Sequence, residues 1–318
     1  MRHENAYRSN AVGIVLLCGV AMALCRPVAA ADPAARTPEQ EIRYAHWLVE
    51  SAAQKALDRF DAYLAADPQP DLAPWARYGR GRALFALGRL QEAFEAVQES
   101  FPEKRPAPDR LAARCGLEVR IAHAFAARAA DPDKDGDRKN AAALAAASRV
   151  FEAVVYNNPD GPYVAEALLG LGDVELARAR PGRAAQAYLR LVEVGEDKAL
   201  ADLARARAAL ALARAHRADE APVDAPLDRA AELLDSLDES PGAPPADVRA
   251  ARRALAEARA RDRLDRALFY LRTPGRRSQN AAVYLLRSVV ENHPRTDAAA
   301  EARGHLESLK QDAGPPAP

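Results

Sequence analysis

The chain has 318 residues with balanced charge, 45 Lys and Arg against 45 Asp and Glu, and only 6% of its residues are aromatic. Because the charge is balanced, no global field would recruit nucleic acid or an anionic membrane. The length allows two ordinary domains or one array of repeats, and the dominance of Ala, Leu, Arg and Glu predicts an all-α protein.

The N-terminal segment has the order of features typical of a secretory signal peptide. Arg2 and Arg8 lead into the apolar run AVGIVLLCGVAMALC, which the small-residue stretch RPVAAADP follows. The run is short for a membrane span. The sequence therefore predicts a signal peptide over residues 1–31, cleaved after Ala30 or Ala31. It predicts a protein that is periplasmic or otherwise exported, with association with the outer membrane as a further possibility.

The cysteines decide between a free and a lipid-anchored protein. A bacterial lipoprotein signal has a small residue just before its cysteine, whereas Leu24 precedes Cys25 and Leu17 precedes Cys18. We therefore expect only indirect contact with a membrane, unless Cys25 is lipidated. The mature chain keeps Cys115 alone, which excludes an internal disulfide and predicts a buried helical thiol.

After the leader, the chain is divided by Pro and Gly into helical segments. The first begins at TPEQ, with Thr37 as N-cap, Pro38 at the first helical position and Gln40 completing a capping box. A register then recurs six times early in the second helix of a pair, where an alanine is followed four residues later by a bulky apolar side chain. The pairs are Ala56/Phe60, Ala93/Val97, Ala147/Phe151, Ala184/Tyr188, Ala230/Leu234 and Ala282/Leu286.

Each part of this register has a packing role. The alanine lets two helices approach closely, and the bulky residue one turn later fills the groove against the first helix. Gly81 and Gly172 lie twelve residues before the alanine of their own units. Pro68, Pro159 and Pro294 lie eight residues after the bulky residue, where a proline ends the second helix. The pattern predicts stacked helical hairpins.

These units resemble tetratricopeptide repeats, most closely in YGRGRALFALGRLQEAFEAV and ALLGLGDVELARARPGRAAQAYLRL, although Glu175 stands where an aromatic residue is usual. The resemblance implies a right-handed solenoid of about six helical hairpins over residues 32–309, followed by a disordered tail at 310–318. It also implies a non-catalytic scaffold that binds protein partners in a concave groove lined by the first helix of each pair.

The last unit, residues 267–309, looks like the tetratricopeptide-type lipoprotein of the outer-membrane β-barrel assembly machinery. Aromatic residues close one helix, AAVYLLRSVVENHP forms the next, and Thr296 and Asp297 open a further helix. This resemblance implies a role in outer-membrane protein assembly. A cell-wall or envelope-organising adaptor is the alternative, since related repeats occur in such proteins.

One polar stretch could hold a metal ion. In DPDKDGDRKN, the residues Asp131, Asp133, Asp135 and Gly136 match the first positions of a calcium loop, and Asp137 adds a fourth carboxylate. The twelfth position, which should be a bidentate glutamate, is Ala142. We interpret the stretch as the turn of the third hairpin, with a weak calcium site as the alternative.

No other chemistry is indicated. The histidines His46, His123, His216, His293 and His305 show no metal spacing, and no nucleophile, cysteine-pair or phosphate-loop motif occurs. The arginine-rich segment 248–277 is interpreted as a solvated helix face, with a partner-binding face as the first alternative and a nucleic-acid site as the second. We therefore predict no enzyme activity, no cofactor and no nucleic-acid partner.

Overall fold

The structure is a computed structural model that describes residues 36–102, 106–130, 137–218, 226–238 and 245–312. Within these ranges every regular element is a helix, as the sequence predicts. The predicted signal peptide lies outside the described residues, and so do residues 313–318. The chain divides between Lys104 and Arg105 into two compact units, each taken by itself below.

The described part of unit 1, residues 36–102, contains two helical hairpins. Its helices are α1 (Pro38–Leu48), α2 (Ala53–Ala65), α3 (Ala73–Ala86) and α4 (Leu90–Gln98). The predicted capping box opens α1: the Thr37 hydroxyl accepts from the Gln40 backbone N–H at 3.3 Å, and the Gln40 side-chain oxygen accepts from the Thr37 N–H at 3.0 Å. Two backbone donors that α1 itself cannot satisfy are thus paired.

Unit 2 contains four hairpins and a final helix among its described residues. The elements are α5 (Pro108–Ala129), α6 (Asp137–Asn157), α7 (Val164–Ala177), α8 (Pro181–Val194), α9 (Lys198–Arg217), α10 (Pro226–Asp238), α11 (Pro245–Arg272), α12 (Arg276–Asn292) and α13 (Asp297–Asp312). The last helix therefore continues to Asp312, where the sequence predicted a tail from residue 310.

In both units each helix packs mainly on its neighbours in the chain. The helices of a hairpin contact each other, and each second helix also contacts the first helix of the next hairpin within its unit. First helices of successive hairpins touch as well, as α1 does with α3, α5 with α7, and α9 with α11. This is the packing of a helical-repeat protein, in which a hairpin buries its apolar face only against the next hairpin.

The six alanine and bulky-residue pairs all lie in second helices, namely α2, α4, α6, α8, α10 and α12. Eleven of these twelve side chains are fully buried, and the twelfth, Leu234, is 3% exposed. The predicted register is therefore the core of the protein. The core alternates small and large side chains, which fixes how closely consecutive helices approach.

Glycines on the first helices receive the large side chains. An added Cβ on Gly172 would overlap the ring of Tyr188, from the second helix of the same hairpin, and one on Gly170 would overlap the ring of Phe151, from the preceding hairpin. In unit 1, an added Cβ on Gly81 would overlap Val97, from the second helix of the same hairpin. One on Gly79 would overlap the ring of Phe60, from the preceding hairpin. The Gly-x-Gly pairs of α3 and α7 thus admit one side chain from each neighbouring second helix.

Candidate functional site

A groove of about 570 Å³ lies in unit 2 over helix α7. The second helices α6 and α8 form its walls, and α7 forms its floor. The interlock of Phe151 with Gly170 and of Tyr188 with Gly172 holds these three helices close together. The groove is lined by Glu152, Val155, Tyr156, Pro159, Leu168, Leu171, Glu175, Arg183, Gln186, Ala187 and Arg190.

The floor of the groove combines apolar side chains with one carboxylate. Leu168 is buried and Leu171 half-buried, while Glu175 is fully buried. One oxygen of Glu175 accepts hydrogen bonds from the Ser148 hydroxyl at 2.6 Å and from the Arg178 guanidinium at 2.5 Å. Its other oxygen has no hydrogen-bond partner among the described residues. The Glu175 carboxylate is therefore hydrogen-bonded by Ser148 of α6 and ion-paired with Arg178, the residue that follows α7.

The walls are polar at their rims and joined by an ion pair. Arg183 of α8 donates to Glu152 of α6 at 2.5 Å, and both side chains are about half exposed. An exposed pair of this kind contributes about 0–1 kcal/mol, so it orients the two walls rather than holding them together. The pair leaves the apolar floor accessible beside it.

Three exposed side chains of the walls are available to a partner. Tyr156, on the last turn of α6, is 86% exposed, which is unusual for a large aromatic residue. Gln186 and Arg190 are exposed on α8, one turn apart. Tyrosine and arginine are the residue types that most often dominate the binding energy of protein interfaces. The groove thus has the composition of a protein-binding site.

Two second helices supply the walls of this groove, and a first helix supplies only its floor. The concave groove lined by the first helix of each pair, which the resemblance implies, stays a prediction. One sequence signal could have indicated this groove, namely Tyr156 directly before the turn NNPDGP. A tyrosine at the end of a helix has no following helical turn that could cover its ring.

Most of the candidate calcium loop lies outside the described residues. This holds for Asp131, Asp133 and Asp135, whereas Asp137 is the first residue of α6, with a side chain that is not described. The connector interpretation and the weak calcium site therefore both stay predictions. In the described part of the chain no three His, Cys, Asp or Glu side chains could together hold a metal ion.

Cys115 is the buried helical thiol that the sequence predicted. It is fully buried on α5, and burial, followed by the negative charge of Glu118, raises the pKa of its thiol to about 12. The thiolate is the reactive form of cysteine, so this side chain is chemically inert at neutral pH. It belongs to the core rather than to a site.

Comparisons with solved structures give tetratricopeptide repeat proteins. One, from Parabacteroides merdae, is 16% identical over 83% of this chain and 96% of its own, with a TM-score of 0.37. Another, the C-terminal part of a repeat-containing protein from Cytophaga hutchinsonii, is 12% identical over 82% of this chain and 98% of its own, with a TM-score of 0.26. At these values the likeness carries no argument about function, and the helical-repeat fold is read from the packing itself.

No protein-family model matches the chain, and neither does any curated protein. Among the helices of the described ranges, none has both the length and the apolar character that a membrane span requires.

Proposed function

We propose that this chain is a non-catalytic protein-binding scaffold of the cell envelope, and that the groove over α7 receives its partner. The observation that carries the proposal is Tyr156, a largely exposed aromatic side chain at the edge of an apolar floor, with Arg190 on the opposite wall. Partner side chains would cover the floor, while the wall residues supply directional contacts.

The export part of the proposal depends on the leader. A protein exported by a cleaved signal peptide would begin at Ala31 or Asp32 in its mature form, and it would be found in the periplasmic fraction. Mass spectrometry of the N-terminus of the mature protein tests this directly. A mature protein that retains Met1 and stays in the cytoplasm would contradict the envelope role, and would leave the groove proposal standing.

The groove is tested by site-specific photo-crosslinking in cells. A photoreactive amino acid at position 156 or 186 should give discrete adducts with a partner protein, while the same amino acid at the exposed Glu232 of α10 should give none. Replacing Arg190 with Glu should then weaken the adduct formed at position 156. Adducts of equal yield at all three positions, or no adduct at 156 and 186, would count against the groove.

The identity of the adducts separates the two envelope roles. Outer-membrane barrel precursors or other assembly proteins would support the assembly role that the C-terminal unit suggests. Enzymes or structural proteins of the cell wall would support the organising adaptor instead. Both outcomes are compatible with a binding scaffold, so this distinction concerns the partner and not the site.

A further inference from the structure

The end of the hairpin formed by α11 and α12 carries exposed aromatic rings among arginines. Helix α11 ends at Arg272 and α12 begins at Arg276, so the connection is short and the two helix ends are close together. We call this region the basic–aromatic tip, and define it by Arg266, Phe269, Tyr270, Arg272, Arg276 and Arg277.

The aromatic part of the tip is open to solvent. Phe269 is 65% exposed and Tyr270 is 38% exposed, and their rings meet edge to face with centroids 5.7 Å apart. Together with Arg266 they occupy positions i, i+3 and i+4, which is one face of a helix. The side chain of phenylalanine has no polar group that water could solvate. The exposure of Phe269 therefore favours contact with a second surface that would cover its ring.

The tip is locally rich in positive charge. Residues 266–290 contain five arginines and no Asp, Glu or Lys, in a chain whose formal net charge is zero. The structure assigns no carboxylate of the described residues to Arg266, Arg272, Arg276 or Arg277, whereas Arg261, earlier on α11, pairs with Glu257 and Glu301. The tip is thus a local positive surface that the balanced total charge conceals.

The exposed side of α12 continues this surface. Tyr284 is 73% exposed and lies two turns after Arg277, with exposed Arg287 three residues further on. Positions i, i+7 and i+10 share one helical face. Both helices of the hairpin therefore combine tyrosine or phenylalanine with arginine on a solvent-exposed side.

We propose that the basic–aromatic tip docks onto an anionic lipid surface. Guanidinium groups bind phosphate oxygens in pairs, and aromatic rings settle at the boundary between headgroups and acyl chains. A lipid surface can neutralise several spaced arginines at the end of a hairpin, because it needs no pocket to receive a partner side chain. This contact is direct and needs no lipid on Cys25, which differs from the indirect contact expected from the sequence.

The proposal does not depend on the groove, since the tip lies on α11 and α12 and the groove on α6 to α8. Either can fail without the other. An acidic protein segment is the competing occupant, and the experiment is designed to distinguish the two.

The test is flotation of the mature protein with vesicles of phosphatidylglycerol and phosphatidylcholine in equal amounts, compared with vesicles of phosphatidylcholine alone. The protein should bind the anionic vesicles, and binding should weaken as salt concentration rises. The double variant Arg276→Glu/Arg277→Glu should bind them at least about tenfold more weakly. These positions are in the first turn of α12, where acidic residues are favourable to the helix, so the variant should fold.

The matched control is Arg249→Glu/Arg253→Glu. It makes the same change in net charge at exposed positions of α11, roughly 20 Å along the helix from the start of the tip. It should bind anionic vesicles as the wild type does. A third variant, Phe269→Ser, removes an exposed ring without changing the charge and should also weaken binding.

Three results would overturn the proposal. The first is wild-type protein that does not float with anionic vesicles. The second is equal loss of binding in the tip variant and the control variant, which would make net charge the cause. The third is wild-type protein that does not bind the vesicles but binds polyglutamate tightly, with that binding lost in the tip variant. This result would make the tip a site for an acidic protein.

Discussion

Fully buried carboxylates recur on the first helices of three successive hairpins. Glu118, Glu175 and Asp202 have no exposed surface, and each lies about one turn from an arginine. For Glu118 and Asp202 the arginine is on the same helix, and for Glu175 it is the residue that directly follows α7. The nearest nitrogen to oxygen distances are 2.8 Å to Arg114, 2.5 Å to Arg178 and 2.5 Å to Arg205. A buried pair is weak evidence for stability, because desolvation offsets the attraction. We interpret each arginine as a local counter-charge, which keeps the neighbouring carboxylate from being buried without an ionic partner.

His46 shows how a partly buried side chain can make stability depend on pH. Its Nε2–H donates to the Trp75 carbonyl at 3.2 Å, so Nδ1 accepts and faces the Arg82 guanidinium at 3.5 Å. Burial, followed by the positive charge of Arg82, lowers the pKa of the imidazole to about 4. In the folded protein the neutral ring is favoured over the imidazolium.

This arrangement predicts a loss of stability in mild acid. Between an unfolded pKa near 6.5 and the folded pKa near 4, the unfolded chain binds more protons, so the free energy of unfolding falls as the pH falls through that window. The slope contributed by His46 is at most about 1.4 kcal/mol per pH unit. Urea unfolding at several pH values measures it.

The variant His46→Gln can still donate to the Trp75 carbonyl but cannot take up a proton, so it should lose this part of the pH dependence. His305→Gln, at a half-buried position of α13, is the control and should keep it. If wild type and His46→Gln lose stability in parallel between pH 6.5 and 4, the imidazole is not responsible.

At the scale of the element, the glycines of α7 let the neighbouring second helices approach it closely. On α7, Gly172 faces the ring of Tyr188, which is fully buried and hydrogen-bonded through its hydroxyl to Asp173 at 2.6 Å. A buried ring held at both ends has little freedom to move aside. The close contact of α7 and α8 therefore depends on the missing Cβ.

This predicts opposite effects for two Gly→Ala substitutions. Gly172→Ala should lower the free energy of unfolding by about 1–3 kcal/mol, because overpacking outweighs the better helix propensity of alanine. Gly304→Ala, on the exposed side of α13 with nothing within 4 Å of the added Cβ, should raise it by about 0.4–1 kcal/mol. The urea midpoints of the two variants measure the difference, and a Gly172→Ala protein as stable as Gly304→Ala would refute the interlock.

The repeat unit itself could be derived from the sequence, since the alanine and bulky residue pairs occupy the second helices as predicted. The angle and spacing of neighbouring helices could not. The angle and spacing depend on which large side chain packs against which glycine. The sequence shows Gly79 and Gly170, but it does not show that the side chains packed against them come from the preceding hairpin. The groove over α7 is a consequence of that spacing.

At the scale of the whole molecule, the sequence leaves open whether the stretch Asp131–Asn140 binds calcium. We expect that it does not, because the strong twelfth ligand is replaced by Ala142 and the stretch joins two helices of one hairpin. An ion that binds only the folded state raises the free energy of unfolding by an amount that grows with the concentration of the ion.

Thermal unfolding with millimolar calcium and with a chelator should accordingly give the same midpoint. The variant Asp133→Asn/Asp135→Asn is the control, and it should respond to calcium and chelator as the wild type does. A midpoint that rises with calcium in the wild type alone would establish the site and contradict the connector interpretation.

The sequence by itself determined the all-α class, the six hairpins, the capped start of α1 and the buried register, because each of these is set by residues close together in the chain. The tertiary structure alone decided which surfaces stay open. The groove walls come from α6 and α8, which are not consecutive, and the tip is recognised by the exposure of Phe269 and Tyr270. Exposure depends on every helix that could cover a side chain, and no local pattern contains that information.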